Sequence, residues 1–243
     1  MLIYMGMKKR LLTITVAALA VAFCAFAFTA CGEETGAPEF DPYPYYTLTK
    51  VGETLTLDVS LKSQLPSGAI TLPASSYYYA DTEGGEVTKH DVAVPVSAVA
   101  AGAFERAGRI TSITVGNTYT VLGESCFSGC DGLTSVTLSD KVTAIPDSAF
   151  EYCTELKSVT GGGELKSVGK NAFLSCYKLN TFDVTFANNF SVGESAFLYA
   201  ISLRNIDLTK ASSVGSHAFQ GWQESQTINV PSDVSGWASD WRN

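Results

Sequence analysis

The chain has 243 residues, 46% hydrophobic and only 16% charged, which is enough apolar content for a folded core and unlike a disordered segment. Its formal net charge is −8, and Lys8, Lys9 and Arg10 fall in a segment expected to be removed, which leaves the mature chain more acidic still. A body of that charge repels a phosphate backbone, so nucleic acid is not an expected partner.

Residues 1–31 read as an export leader. Met7-Lys8-Lys9-Arg10 supplies a basic start, with MLIYMG read as upstream sequence, and LLTITVAALAVAFCAFAF supplies the apolar stretch. That stretch is long enough for a retained signal anchor to be an alternative. Thr29-Ala30-Cys31-Gly32 resembles the lipobox of bacterial lipoproteins, although Phe28 stands where an aliphatic residue is usual. The resemblance implies a diacylated Cys31 at the mature N-terminus and a membrane partner reached through that lipid. Cys24 follows bulky Phe23 and does not compete. Residues 32–46, GEETGAPEFDPYPYY, are rich in Gly, Pro and acids and read as an extended tether.

Residues 47–95 alternate in short runs. LTLDVSL at 55–61 has the two-residue period of a strand, AITLP at 69–73 looks like a second, and DTEGGEVTKHDVAV at 81–94 reads as a hairpin. About fifty residues are few for an independent domain, so a β-rich cap on whatever follows is expected. The tyrosines here (Tyr43, Tyr45, Tyr46, Tyr77, Tyr78, Tyr79) could contact sugar or protein, or pack the cap.

From residue 96 a box recurs: a Gly, two polar residues, Ala-Phe, then a small apolar residue. Its phenylalanines are Phe104, Phe127, Phe150, Phe173, Phe197 and Phe219, spaced by 23, 23, 23, 24 and 22 residues. Numbering each unit from its Phe, apolar residues occupy −5 (Val99, Leu122, Ile145, Val168, Val192, Val214), −1, and in most units +6, +9 and +11. The +9/+11 alternation predicts a strand with one buried side, and apolar residues at −1, 0 and +3 predict one or two helical turns. Gly at −4 (Gly123, Gly169, Gly193, Gly215) is expected to free the backbone at the entry to that turn. One such unit has nothing to bury its apolar side against, so units must stack, with the phenylalanines forming a spine.

Leu133 to Cys153, LTSVTLSDKVTAIPDSAFEYC, resembles the leucine-rich repeat of the bacterial surface antigen, or BspA-like, family, and the likeness extends over about residues 96–231. It departs from the pattern at Ser225, where +6 should be apolar, and at Asn189, where −8 should be. The expected fold is therefore a repeat solenoid, α/β and β-rich. It would be a right-handed coil of six units over 96–230, each a short parallel strand and a short helix. The resemblance implies a secreted or surface-attached protein, with adhesion or host-protein binding among the family's roles.

At the end of the chain, residues 231–243 place Val234, Trp237 and Trp241 on one helical stripe with Ser232 or Asp233 as N-cap, predicting a capping helix. Cys130, Cys153 and Cys176 share position +3 and Cys126 sits at −1; a ladder of small buried groups is preferred over a disulfide or metal site. His90 and His217 have no nucleophile and acid to join them in a triad, and Asp81, Glu83 and Glu86 lack the ligand alternation of a calcium loop. Gly161-Gly162-Gly163 is a bend and not a phosphate loop. No catalytic residue, cofactor or metal is assigned. The outward strand positions +8 and +10 form the candidate binding face, with Thr114, Thr137, Thr160, Asp183, Asp207 and Asn229 at +10. The functional expectation is a lipid-anchored surface protein that binds an extracellular protein or glycan without chemistry. A structural spacer is the alternative, and a secreted hydrolase ranks third.

Overall fold

A computed structural model describes residues 46–51, 53–59, 62–76, 79–81, 87–89 and 94–243. Cys31, the leader, residues 32–45 of the expected tether, Tyr77, Tyr78, Glu83, Glu86 and His90 lie outside the described residues, while Tyr46 opens the first strand.

The strand that follows each box finds its partner one repeat away. Ile110–Thr114, Ser135–Leu138, Ser158–Gly161 and Thr181–Asp183 pair in parallel, each with the one before, and Asn205–Asp207 pairs in parallel with Thr227–Asn229. A second ladder is built from the residues around −5. There Ala144–Ile145, Leu165–Val168, Phe186–Val192 and Ala211–Val214 pair in parallel, and Val121–Leu122 pairs with Val94–Val99. The core lies between the two ladders. Ile113, Val136, Val159 and Ile206 at +9 point into it from one side and all the −5 residues from the other, every one of them buried. The chain is a parallel-strand solenoid of about six coils.

Down its axis the six phenylalanines stack. Successive ring centroids stand 5.2 to 5.4 Å apart, and from Phe127 onward the planes are within 9° to 12° of parallel. All six rings are fully buried. Offset stacking at this distance suits the ring quadrupole and adds roughly 0.5–1.5 kcal/mol per pair beyond area burial. Both ends are closed edge-on: Tyr46 meets Phe104 at 75°, and Trp222 and Trp241 meet Phe219 at 85° and 88°.

The box is not helical. Residue −2 has positive φ in every coil (Gly102, Ser125, Ser148, Asn171, Ser195, His217), and so does residue +2 (Arg106, Gly129, Tyr152, Ser175, Tyr199, Gly221). Peptides of alternating sense let the N–H groups divide. The amides of Phe104, Phe127, Phe150, Phe173 and Phe197 donate to the next coil, to the carbonyl just before its Phe, at 2.7 to 3.0 Å. The intervening amides close turns within their own coil, as Glu105 does to Gly102 and Ala107 to Phe104, each at 3.0 Å. A helix would have used all these donors internally and left the next coil unbound. The polar −2 residue tolerates the left-handed conformation that a bulky apolar one resists.

The glycines at −4 have a different reason from the one expected. A Cβ on Gly193 would lie 2.6 Å from the Lys170 amide nitrogen, and one on Gly215 2.5 Å from that of Glu194. These glycines permit backbone contact between coils, and none of the four has positive φ.

The anomaly at Asn189 is a register slip. Asn189 takes φ of +61° and is exposed, while Phe190 turns inward, is buried and pairs with Ala211. The slip accommodates the one 24-residue spacing.

Before the first Phe, the fold continues in altered form. Thr54–Val59 pairs in parallel with Val94–Val99 and places Leu57 opposite Val99, while Gly68–Thr71 pairs in parallel with Ile110–Thr114. Between them Lys62–Gln64 forms a 3-10 turn, and Lys62 donates from Nζ to the Gly102 carbonyl at 2.6 Å. Counting from Leu57, Lys62 occupies the place of the spine Phe, and Tyr46 covers the exposed ring instead. Tyr46–Val51 pairs antiparallel with Thr54–Val59, and Tyr79–Asp81 pairs antiparallel with Val87–Lys89.

Residues 231–243 form turns and not the expected helix. Their carbonyls are taken by the last coil: His217 donates its amide to Asp240 at 3.1 Å and Phe219 to Trp241 at 2.9 Å. The segment supplies acceptors where a seventh coil would have done so, and a helix would have withheld them. Asp233 caps a turn, its Oδ1 accepting from the Ser235 amide at 2.8 Å.

Phe150→Ala in the middle of the spine is expected to destabilise the protein by about 3–5 kcal/mol in denaturant unfolding. Gly193→Ala should also lower the unfolding midpoint clearly although it adds only a methyl group, because the atoms it meets are backbone and cannot rotate away.

Candidate binding face

The solenoid carries the +10 residues in register. Thr71, Thr114, Thr137, Thr160 and Asp183 stand opposite one another on five adjacent strands, and Asp207 stands opposite Asn229 on the two-stranded sheet that follows. The ladder is interrupted between Asp183 and Asp207, in the coil with the register slip. Thr114, Thr137, Asp183, Asp207 and Asn229 are exposed, and Thr160 is half-buried. At +8, Ser112, Ser135, Ser158 and Thr181 form a parallel row of hydroxyls. Thr71 was missed because its strand precedes the first box; the run AITLP matches the +8 to +11 pattern and could have placed it.

Not every member is free to recognise a ligand. Asp207 Oδ1 accepts from the amide and hydroxyl of Thr209 at 2.9 and 2.7 Å, which holds its carboxyl below the ordinary range and ties it to the turn after its strand. The outward side chains of the face are polar, and each of its strands is hydrogen-bonded to a neighbour on at least one side.

The cysteines form an internal ladder. Cys130, Cys153 and Cys176 are buried free thiols, each donating from Sγ to the Phe carbonyl of the preceding coil, at 3.0, 3.1 and 3.1 Å. Cys126 is buried and free at −1. Burial pushes Cys126 and Cys176 far above an ordinary thiol. Cys153 is raised first by its hydrogen bond with Cys130 and then by burial. Among the described residues no group of three or more His, Cys, Asp and Glu side chains is placed to hold a metal ion. His217 Nε2 lies 3.5 Å from Asp240 Oδ2, which makes it a contact to the C-terminal segment.

A further surface, on the outer flank, was not singled out from sequence. Positions +2 and +4 of consecutive coils carry Tyr152, Tyr177, Tyr199 and Ile201, all exposed. Aligning the residues just after each box would have found them.

Stacked parallel strands, a buried aromatic spine and a polar outer ladder define a leucine-rich-repeat solenoid of the kind that presents an extended surface. The BspA type leucine-rich repeat region matches in six copies, over residues 97–225 and 191–239. The chain belongs to that family. A comparison with curated proteins yields no match. Among solved structures it is similar to the leucine-rich repeat protein of T. pallidum (20% identity, 80% of this chain and 84% of that one, TM-score 0.61). It is also similar to a leucine-rich cell surface protein of Faecalibacterium prausnitzii A2-165 (23% identity, 78% and 54%, TM-score 0.54) and to the pneumococcal vaccine antigen PcpA (21% identity, 77% and 48%, TM-score 0.56). It spans about half the length of the latter two.

The raised thiols set a pH dependence. Below 9.0, the ordinary thiol value, Cys126, Cys153 and Cys176 are neutral whether folded or unfolded. Above it the unfolded thiols lose protons that the folded ones keep, so stability falls as pH rises. Denaturant midpoints measured from pH 8 to 10.5 should decline, and less so in a Cys153→Ala variant. Thiol reagents should modify these cysteines only on unfolding.

Proposed function

We propose that the protein is exported, held at the bacterial surface by lipid on Cys31, and binds an extracellular protein or glycan through its strand face, as an adhesin would. The in-register ladder from Thr71 to Asp183 carries this reading. An in-register row of short polar groups repeated coil after coil offers many weak, directional contacts to an extended ligand, and such ligands suit solenoid surfaces. Membership of the BspA-type family, the leader with its Cys31 lipobox and the likeness in fold to a cell surface protein and a vaccine antigen support the location.

Two experiments test it. In detergent phase separation the full chain should enter the detergent phase and its Cys31→Ala variant the aqueous one; the opposite result for the wild type removes the anchor. Cells displaying the full chain should adhere to immobilised extracellular-matrix proteins or glycans, and Thr137→Lys with Asp183→Lys should lower adherence about tenfold or more. Unchanged adherence would favour a spacer role.

A further inference from the structure

The outer flank formed by residues +2 to +7 is unlike the rest of the surface. Of the eight exposed large apolar side chains among the described residues, four lie here, in three consecutive coils: Tyr152, Tyr177, Tyr199 and Ile201. None of them is needed for the core. Tyr152 and Tyr199 occupy +2, two coils apart, with Tyr177 at +4 in the coil between. The Tyr199 ring lies against Gly221 of the next coil, where a Cβ would come within 2.8 Å of it.

Beside the aromatic row runs position +7, with Lys157, Asn180 and Arg204 in the same three coils, all exposed. Asn180 donates its amide to the Lys157 carbonyl at 3.0 Å, which holds the first two in adjacent coils. Asn180 and Arg204 both line a shallow depression of about 240 Å³ with Ile201, Ser202 and Ser225. Among the described residues neither Lys157 nor Arg204 forms an ion pair, whereas nearby Lys178 is neutralised by Glu155 at 2.7 Å. Two cations without an ion pair at one position of the repeat, with a polar amide between them, stand on a chain whose net charge is −8.

We propose that this flank binds a linear acidic polysaccharide carrying a carboxylate on alternate sugars. Successive spine rings lie 5.2 to 5.4 Å apart and neighbouring strands about 4.7–4.9 Å, so one coil advances about as far as one pyranose of an extended chain. Lys157 and Arg204, two coils apart, therefore stand about two sugars apart. Tyr rings offer flat apolar surfaces to the C–H faces of pyranoses, and their hydroxyls reach the rim. Arg204 takes a carboxylate in paired hydrogen bonds, Lys157 meets the next as a point charge, and Asn180 and Ser202 meet hydroxyls between them. A folded protein partner has no reason to repeat at the coil spacing, which favours the polysaccharide. The inference depends on the proposed function only for the place where such a ligand is met, since the flank and the strand face are separate surfaces.

The test uses the full chain in detergent and four probes: hyaluronan oligosaccharides, polygalacturonate, neutral dextran and dextran sulfate. Hyaluronan should be retained and dextran not, with polygalacturonate and dextran sulfate weaker at physiological salt. Arg204→Gln and Tyr177→Ala should each weaken hyaluronan binding about tenfold, the scale of one lost charge-assisted or stacking contact. Lys166→Gln, which removes the same charge elsewhere, should leave it unchanged. Unfolding midpoints equal to wild type show that these variants are folded. The site is overturned if hyaluronan is not retained, if binding survives both flank variants, or if dextran sulfate binds as well and independently of Tyr177. Capture of a protein through this flank in place of the polysaccharide overturns it too. Loss of hyaluronan binding in wild type with adherence intact and sensitive to Thr137→Lys sinks this site alone. The reverse result sinks the strand-face reading alone.

Discussion

The stack of phenylalanine rings constrains everything around it. Neighbouring strands in a sheet lie about 4.7–4.9 Å apart, and the ring centroids lie 5.2 to 5.4 Å apart with planes nearly parallel. The two spacings are compatible only if each coil is close to a translated copy of the last, with the rings slightly offset. That leaves room at −1 for Ala or Cys and nothing larger, and at −4 it requires a residue whose backbone can touch the coil before. The only wide angle in the stack, 24° between Phe104 and Phe127, falls at its N-terminal end, beside the altered coil where Lys62 replaces the Phe.

An infinite stack would satisfy every backbone group along its length, so the chemistry of a finite one concentrates at its ends. At one end Tyr46 turns its edge to the first ring and Lys62 donates to a carbonyl of the first box. At the other, Trp222 and Trp241 meet the last ring edge-on and the final turns lend carbonyls to His217 and Phe219. Edge-to-face contact ends an aromatic stack well, because a perpendicular ring offers no parallel face for another to continue. The indole Nε1 of Trp222 is buried without a partner, a cost accepted at this end for the apolar area the ring covers.

The spine and the strands were legible in the sequence because each leaves a mark within a single unit: a fixed Phe, a two-residue alternation, a recurrent −5 aliphatic. The conformation of the box was not. Apolar residues at −1, 0 and +3 fit a helical turn, and they fit equally a chain of turns with positive φ at −2 and +2. What separates the two is where the amides of Phe104 or Phe150 find their acceptors, and those lie one coil away. The stripe Val234, Trp237, Trp241 misled for the same reason. In the candidate site the +10 ladder was legible from Thr114 onward. Its break after Asp183 was not, since that follows from the slip at Asn189 and the inward turn of Phe190. The aromatic flank escaped notice because it repeats in place without repeating in residue type.

That last difference marks where function can reside in such a molecule. Interior positions are under one rule: every coil must accept the translated copy of its neighbour, so −1, 0, +3 and −5 vary little. The thiols obey it too, each donating to the same carbonyl of the coil before, which accounts for three cysteines in a row without any need for a bond between them. Exterior positions are under no such rule, and a change there from one coil to the next carries information that the fold does not require. The +10 row shifts from threonine to carboxylate at Asp183, and the +7 row sets Lys157 and Arg204 around Asn180. Neither change is required by a stacked ring, although Asp207 also holds the turn after its strand. On the functions proposed above, both rows would be read by ligands that lie along the solenoid axis.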